Sequence, residues 1–207
     1  MATAAKAKRD PEATKRRLLE AGLHEFAAKG ISGARVDAIA ARAKSNKRML
    51  YYYFGSKDGL FREILRWKLL ERTEQLKEQD ASNPDRIAER QQRVLASRDY
   101  IRLLTWEALE GGSRRKVAES DARAAVYELW IEQIEAEQAV GTIRADLDPA
   151  QLVLSEIALT LFPVAFPQLT RLITGHGPHD PEFLAERQPF LALLGEQLAG
   201  PAVPADR

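Results

Sequence analysis

The chain has 207 residues, of which 45% are hydrophobic and 29% are charged. This composition fits one large globular domain or two small ones and excludes a largely disordered chain. The sequence contains no cysteine, which excludes disulfide scaffolds, cysteine-ligated zinc, iron–sulfur clusters and cysteine nucleophiles. The longest apolar stretch, residues 157–167, is too short to span a membrane, and no apolar signal core follows residues 1–10. We therefore expect a cytoplasmic protein without membrane contact.

The net charge of +1 is the sum of two unlike parts. Residues 1–60 contain 13 lysines and arginines against 6 aspartates and glutamates, a net charge of +7. Residues 61–207 contain 18 basic against 24 acidic residues, a net charge of −6. Such asymmetry is typical of a polyanion-binding segment joined to a segment with another role. The alternative is chance variation among solvated surface charges, and only individual residues can decide between the two.

Helix signals fill the basic part. Asp10 before Pro11 is typical of a helix start, and Gly30 after Lys29 is typical of a helix end. Asn46 and Ser56 are of the residue types that cap helix N-termini. Apolar residues between these signals recur at intervals of three and four positions. The predicted helices of this part lie at residues 11–29, 36–43, 47–54 and 57–79.

The acidic part also has a helical pattern, and no strand or repeat pattern is visible. Its predicted helices lie at residues 83–110, 121–140, 149–173 and 181–198. Residues 152–173 are apolar on almost every side, so this helix should be buried or face a partner. Pro163 and Pro167 should kink or interrupt it. The fold class is therefore predicted to be all-α.

Two short helices joined by a tight turn within a basic segment indicate a helix-turn-helix. Apolar residues of both short helices would face the first helix: Val36, Ile39, Ala40, Leu50 and Phe54. Three consecutive tyrosines lie about 100° apart around a helix, so at least one must face outward. An exposed aromatic residue beside Lys47 and Arg48 favours contact with DNA over core packing.

These residues resemble the DNA-binding domain of the TetR family of transcriptional regulators. The resemblance rests on Ala-Ile-Ala-Ala-Arg-Ala at residues 38–43, on Asn46, and on Leu-Tyr-Tyr-Tyr-Phe-Gly-Ser-Lys-Asp-Gly-Leu at residues 50–60. It implies an N-terminal three-helix helix-turn-helix domain, joined by a long fourth helix to a C-terminal bundle for ligand binding and dimerisation. The corresponding segments are a flexible basic arm (1–10), the DNA-binding domain (11–57), the effector and dimerisation domain (58–200) and a frayed tail (201–207).

Ten residues are candidates for DNA contact. Arg48 and Met49 occupy positions that contact bases in the family, and the arginine favours guanine through its O6 and N7 atoms. Lys44 and Ser45 depart from the family pattern, which has glycine and a branched apolar residue in the turn. A lysine there is strained if its backbone is left-handed, but it can reach a phosphate. The candidates are Arg35, Lys44, Asn46, Lys47, Arg48, Met49, Tyr51, Tyr52, Tyr53 and Lys57.

The resemblance also implies a small-molecule cavity in the C-terminal bundle. Such cavities are mostly aromatic and apolar, and our candidate residues are Trp106, Tyr127, Trp130 and Phe166, although ordinary core packing is the alternative for each. His176 and His179 do not form a convincing metal site, since the adjacent Asp180 is better explained as a helix cap. No cofactor, metal site or catalytic arrangement is predicted, so the chain is not expected to be an enzyme.

The expected function is that of a ligand-responsive transcriptional regulator, a repressor released from its double-stranded operator by a small apolar or amphipathic molecule. The resemblance implies a homodimer through the last two predicted helices. Helix 57–79 would couple Lys57, at the DNA, with Trp67, near the ligand. The alternatives are an activator of the same architecture and an architectural DNA-binding protein without sequence preference; an enzyme built on a helical bundle has no motif in its favour.

Overall fold

A computed structural model of the chain describes residues 10–78, 83, 85–111 and 117–198. Within these ranges the fold consists of ten α-helices and no strand, which confirms the all-α prediction. The predicted basic arm up to residue 9 and the predicted tail at 201–207 lie outside the described residues. The helices are α1 (Pro11–Gly33), α2 (Val36–Arg42), α3 (Lys47–Phe54), α4 (Lys57–Lys77), α5 (Arg86–Ala96), α6 (Arg98–Gly111), α7 (Ser120–Ala139), α8 (Pro149–Ala165), α9 (Pro167–Thr174) and α10 (Pro181–Gln197).

Side-chain caps fix the starts of α1, α3 and α4, as the sequence predicts. The Asp10 carboxylate accepts hydrogen bonds from the backbone N–H groups of the first turn of α1. Asn46 accepts from the N–H of Met49 at 2.9 Å, and Ser56 accepts from the N–H of Gly59 at 2.9 Å. Each cap satisfies a donor that has no partner within its own helix, and is worth about 1 kcal/mol. The caps at Asn46 and Ser56 therefore set the residues at which α3 and α4 begin.

Helix α1 breaks at Gly30, one residue after its predicted end. Gly30 has φ 75° and ψ 172°, and residues 31–33 add one further turn in a new direction. A Cβ atom at this position would lie 2.3 Å from Oε1 of Glu110 and 3.0 Å from Cε3 of Trp106. Glycine is therefore required both by the left-handed backbone and by the close approach of α6.

The predicted helix at 83–110 is two helices. The chain turns at Ser97, so that α5 packs against α8 and α10 while α6 packs along α1. The predicted helix at 149–173 is interrupted at Phe166, where α8 and α9 bend by 91°. Pro167 begins α9, where its missing N–H leaves no hydrogen bond unmade, whereas Pro163 is accommodated within α8.

The described part of the chain contains no single helix that is long and apolar enough to cross a membrane. Taken together, α8 and α9 reach the length and hydropathy of such a span, but only as a sharply bent pair.

Two hydrophobic clusters organise the molecule, and α4 belongs to both. The first joins α1, α2, α3 and the start of α4 to α6, around the fully buried Phe26, Leu50 and Leu60. The second surrounds Trp130 on α7 and includes Leu76 near the end of α4. The helix-turn-helix therefore shares its core with the first helices of the C-terminal bundle.

Buried charges join three helices of the bundle. Arg86 on α5 contacts Glu156 on α8 at 2.7 Å and Glu137 on α7 at 3.2 Å. Arg90 on α5 also pairs with Glu156, and its guanidinium lies 3.5 Å from the ring centroid of Trp130. Burial lowers the pKa of Arg90 to about 10 and raises the pKa of Glu137 to about 7. This network was not predicted from the sequence.

Candidate nucleic-acid interface and internal cavity

The turn between α2 and α3 is tight and left-handed. Lys44 has φ 49°, and its N–H donates to the carbonyl of Ala41 at 3.1 Å. The N–H of Ser45 donates to the carbonyl of Ala40 at 2.9 Å, which closes the end of α2. Asn46 then caps α3. The lysine thus occupies a conformation that glycine adopts more easily, as expected if the turn follows the family geometry.

The inner face of the helix-turn-helix packs on α1 and α4. Ile39, Ala40 and Leu50 are buried, as the sequence predicts, while Val36 and Phe54 are half-buried against the same cluster. Two candidate DNA contacts, Met49 and Tyr53, are also half-buried and pack against this cluster. Their position shows that α3 turns part of its predicted front towards the core.

The outer face of α3 carries cations and tyrosines. Tyr52 is 75% exposed and Tyr51 is 43% exposed. Arg48 is exposed and has no ion pair or hydrogen bond through its side chain with any described residue. Lys47 is exposed, and its Nζ lies 3.2 Å from Oδ1 of Asp37. The Tyr53 ring supports Tyr52 edge-on, with 5.2 Å between the two ring centroids.

The remaining candidates flank this face. Arg35 and Lys44 are exposed, at the start of α2 and in the turn. Lys57 is half-buried, and its Nζ donates to the carbonyl oxygens of Ser32 at 3.1 Å and Ala34 at 3.3 Å. Because an ammonium has three donors, Lys57 has one left for a phosphate. The structure thus gives Lys57 a bracing contact that the sequence did not predict.

A cavity of about 580 Å³ lies where α1 and α4 meet α6 and α7. Its walls come from the end of α1, the start of α4, the length of α6 and the start of α7. Of the four predicted cavity residues, Tyr127 lines it. Trp106 instead donates from Nε1 to the carbonyl of Ala27 at 3.2 Å, and Trp130 is buried in the second cluster. Phe166 is exposed at the junction of α8 and α9.

Comparison with known proteins assigns both parts of the chain. Residues 18–64 match the model of bacterial regulatory proteins of the tetR family, and residues 91–188 match that of the tetracyclin repressor-like C-terminal domain. The HTH-type transcriptional repressor SCO4008 of Streptomyces coelicolor is 36% identical over 175 residues, which are 83% of this chain and 88% of that protein. The chain belongs to the TetR family.

One further relative and one solved structure are also similar to this chain. The HTH-type transcriptional repressor NicS of Pseudomonas putida is 46% identical over 52 residues, 25% of this chain and 24% of that protein. The crystal structure of SCO4942 from Streptomyces coelicolor has a TM-score of 0.73 at 23% identity and covers 90% of this chain and 98% of that one. It supports the fold. The chain is thus a DNA-binding transcriptional regulator and not an enzyme.

Sequence reasoning missed the contact between the cavity and the helix-turn-helix of this TetR regulator. Glu110, on the cavity wall, accepts from the N–H of Ser32 at 3.0 Å and from its hydroxyl at 2.7 Å. The carbonyl of Ser32 in turn accepts from Lys57, three residues after α3 ends. Gly30 marks the place in the sequence, but no local pattern indicates its distant partner Glu110.

The histidine loop of the regulator provides no metal site within the described residues, where no cluster of three suitable ligands occurs. Asp180 stands at the N-cap of α10, as predicted, but its side chain does not bond into that helix. Its Oδ2 instead accepts from the N–H of Gly177 at 2.6 Å and lies 3.4 Å from Nη2 of Arg171. The carboxylate therefore closes the loop between α9 and α10.

Proposed function

We propose that this TetR-family regulator is a cytoplasmic repressor that binds its operator as a homodimer and is released by a small apolar or amphipathic molecule. The observation that carries the proposal is the outer face of α3, where Arg48, Tyr51 and Tyr52 project from a helix fixed on its inner side. A helix of this kind fits the major groove, and an arginine reaches guanine through two hydrogen bonds. The repressor names of two relatives support the direction of regulation.

Specific binding favours a dimer, because one short helix contacts only a few base pairs. The proposed interface uses the last two predicted helices, which correspond to α8, α9 and α10. These helices expose apolar side chains that a monomer would leave in water: Leu154, Phe162, Leu169, Leu172, Ile173, Phe190 and Leu193. A two-fold dimer through this surface would place the two copies of α3 on half-sites about 34–36 Å apart.

The proposed effector site is the cavity of about 580 Å³, a volume suited to a small organic molecule. Phe61 and Asp58 of α4 line it together with Glu110 of α6. Trp67 does not line the cavity. The coupling that we propose therefore reaches Lys57 through Glu110 and Ser32, and not through Trp67 as the sequence suggested. A ligand that shifts Glu110 would disturb Ser32, then Lys57, and through them the start of α4 beside α3. Couplings of this kind amount to about 1–3 kcal/mol.

Selection of bound sequences from random DNA with the purified regulator tests the proposal. We expect a two-fold symmetric site that binds at least about a thousandfold more tightly than random DNA at physiological salt. A ratio near one would favour the architectural alternative. Expression of a reporter gene placed behind the selected site distinguishes a repressor from an activator. A repressor lowers reporter expression and an activator raises it.

A further inference from the structure

The walls of the cavity carry more negative than positive charge. Five carboxylates line it: Asp58, Glu107, Glu110, Glu119 and Asp121. Among the residues that the structure describes, the cations on the same walls are Arg62 and Arg123. Low-dielectric walls of one predominant sign concentrate the electrostatic field inside a cleft, so this cavity attracts positive and repels negative solutes.

Ion pairs within the protein neutralise only part of this charge. Glu107 pairs with Arg123 at 2.8 Å, and Glu119 pairs with Arg66, outside the cavity wall, at 2.9 Å. Asp58, Glu110 and Asp121 have no cationic partner among the described residues. Glu110 accepts hydrogen bonds from Ser32, but these donors are neutral. Within the described residues, three carboxylates therefore face the cavity without a counter-ion.

Aromatic side chains supply a second, independent feature. Tyr100 lines the cavity and is only 7% exposed, yet its hydroxyl has no hydrogen-bond partner among the described residues. Burial raises the pKa of Tyr100, so this group is a neutral phenol that can accept a hydrogen bond. Tyr127 and Phe61 also line the cavity. Aromatic ring faces attract cations and pack equally well on an apolar body.

Arg123 does not make the site suitable for an anion. Its Nη1 is held by Glu107, while Nε and Nη2 have no acceptor. Those two nitrogens are shielded from solvent, so a ligand carboxylate could not reach them without repacking of the wall. Arg62 is exposed, as are Asp58 and Asp121, so it offsets at most one of the three unpaired carboxylates. An anionic ligand would meet the unpaired carboxylates instead.

We propose that the effector of this cavity is an organic cation, an amine or quaternary ammonium compound with an aromatic or aliphatic body. The inference rests on the proposed function, because it names the ligand class of the proposed effector site. The cation would lie among Asp58, Glu110 and Asp121, with its apolar body against the rings. At Glu110 it competes with Ser32 for the carboxylate, which links ligand charge to release of the helix-turn-helix.

Calorimetric titration of the wild-type regulator with two matched probes tests the inference. 4-Phenylbutylamine and 4-phenylbutyrate have the same apolar body and opposite charge. We expect saturable, millimolar or tighter binding of the amine and affinity for the acid at least about tenfold lower. Equal or tighter binding of the acid, or no binding of the amine at millimolar concentration, would overturn the inference.

Variants identify the groups responsible. The double variant Asp58→Asn with Asp121→Asn keeps the shape of both side chains and removes two charges, so affinity for the amine should fall about tenfold. Tyr100→Phe removes only the hydroxyl and should lower the affinity for the amine about threefold to tenfold. Glu128→Gln is the matched control, because Glu128 is exposed on α7 outside the cavity wall. Equal affinities for wild type, double variant and control would contradict the site.

Operator binding, measured in parallel, separates this inference from the proposed function. If the amine binds and operator affinity does not change, the cationic ligand class of the cavity holds, whereas the link through Glu110 and effector-controlled release fail. If the regulator binds a specific operator but not the amine, the cationic ligand class fails and the DNA-binding function stands.

Discussion

Lys44 shows how one residue adjusts the helix-turn-helix. Its φ of 49° places a side chain in a backbone region that costs a non-glycine residue about 1–2 kcal/mol. The lysine stands where the family has glycine, and the sequence indicated strain there if the backbone is left-handed. The structure shows that left-handed backbone. The strained lysine also places a positive charge in the turn just before α3.

Lys44→Gly should therefore separate the two effects. We expect the free energy of unfolding to rise by about 0.5–1 kcal/mol, since the relief of strain exceeds the extra chain entropy of glycine. Affinity for every DNA sequence should fall, with a salt dependence reduced by about one charge. Lys44→Ala is the control, because it loses the charge and keeps the strain. Urea unfolding and salt-dependent DNA titration measure both quantities; a Lys44→Gly variant less stable than Lys44→Ala would contradict the strain.

Lys57 has structural partners within the protein and is also a predicted DNA contact. Lys57→Ala removes the bonds from Nζ to the carbonyls of Ser32 and Ala34. We expect a loss of about 1–2 kcal/mol in unfolding free energy and weaker binding to all DNA sequences by a similar factor. Binding titrations on the selected site and on random DNA, with Lys15→Ala as a control lysine on α1, measure the change. A loss of affinity for the selected site alone, with affinity for random DNA unchanged, would show that Lys57 contacts bases and not phosphates.

At the scale of the elements, local patterns predicted helix starts well and helix interruptions poorly. Asp10, Asn46 and Ser56 all cap helices where the sequence placed them. A cap acts through its own first turn, so its signal is local. The break at Ser97 has no proline or glycine at the junction, and arises because α5 and α6 pack against different neighbours. Such a tertiary cause cannot be found in a local pattern.

Of the four predicted effector-pocket residues, only Tyr127 lines this cavity, for a related reason. Aromatic character led to Trp106, Trp130 and Phe166, yet these side chains serve a backbone contact, a core and an exposed junction. The walls that the structure shows contain many charged residues, which periodicity alone assigns to a solvated face. Their convergence depends on the break in α1 at Gly30 and on the approach of α6 to it. Neither the break angle nor the partner helix is encoded locally.

The buried network between α5, α7 and α8 makes stability depend on pH. The pKa of Glu137 rises from 4.5 to about 7 on folding, so the folded state binds an extra proton between these values. Its contribution to stability is complete below pH 4.5 and is lost as the pH rises through about 7. Glu137→Gln should remove this part of the pH dependence, at most about 3 kcal/mol over the interval.

Urea unfolding of wild type and Glu137→Gln between pH 4.5 and 8 measures the effect. Glu128→Gln serves as an exposed control on the same helix and should retain the wild-type profile. A Glu137→Gln profile parallel to that of the wild type would show that Glu137 is ionised in the folded state throughout.

At the scale of the whole molecule, the proposed two-fold dimer can be tested by a substitution in α10. Leu193→Glu places a charge on the exposed apolar side of α10, where the side chain is 56% exposed. We expect sedimentation to show a monomer and operator affinity to fall by at least about a hundredfold, because one recognition helix then binds alone. Leu109→Glu on α6 makes the same change on an exposed leucine that is not part of α8, α9 or α10, and this variant should remain dimeric. A dimeric Leu193→Glu would place the interface elsewhere.

The distribution of charge describes the whole molecule better than its net value. The +7 of residues 1–60 and the −6 of residues 61–207 correspond to a DNA-binding part and a body that phosphate repels. This field helps to orient the regulator on DNA. Part of the negative charge has a more specific place, on the walls of the cavity, which the sequence totals alone could not indicate.

The central claim is that α3 recognises sequence through Arg48, and discrimination by Arg48→Ala tests it most directly. Affinities for the selected operator and for operators with one guanine exchanged are compared at physiological salt. Arg16→Ala is the control, since Arg16 is an exposed arginine of α1. The account predicts that Arg48→Ala loses discrimination at one base pair by about 1–3 kcal/mol, while Arg16→Ala keeps it. Unchanged affinity and unchanged discrimination in Arg48→Ala would contradict the assignment of α3 as the recognition helix.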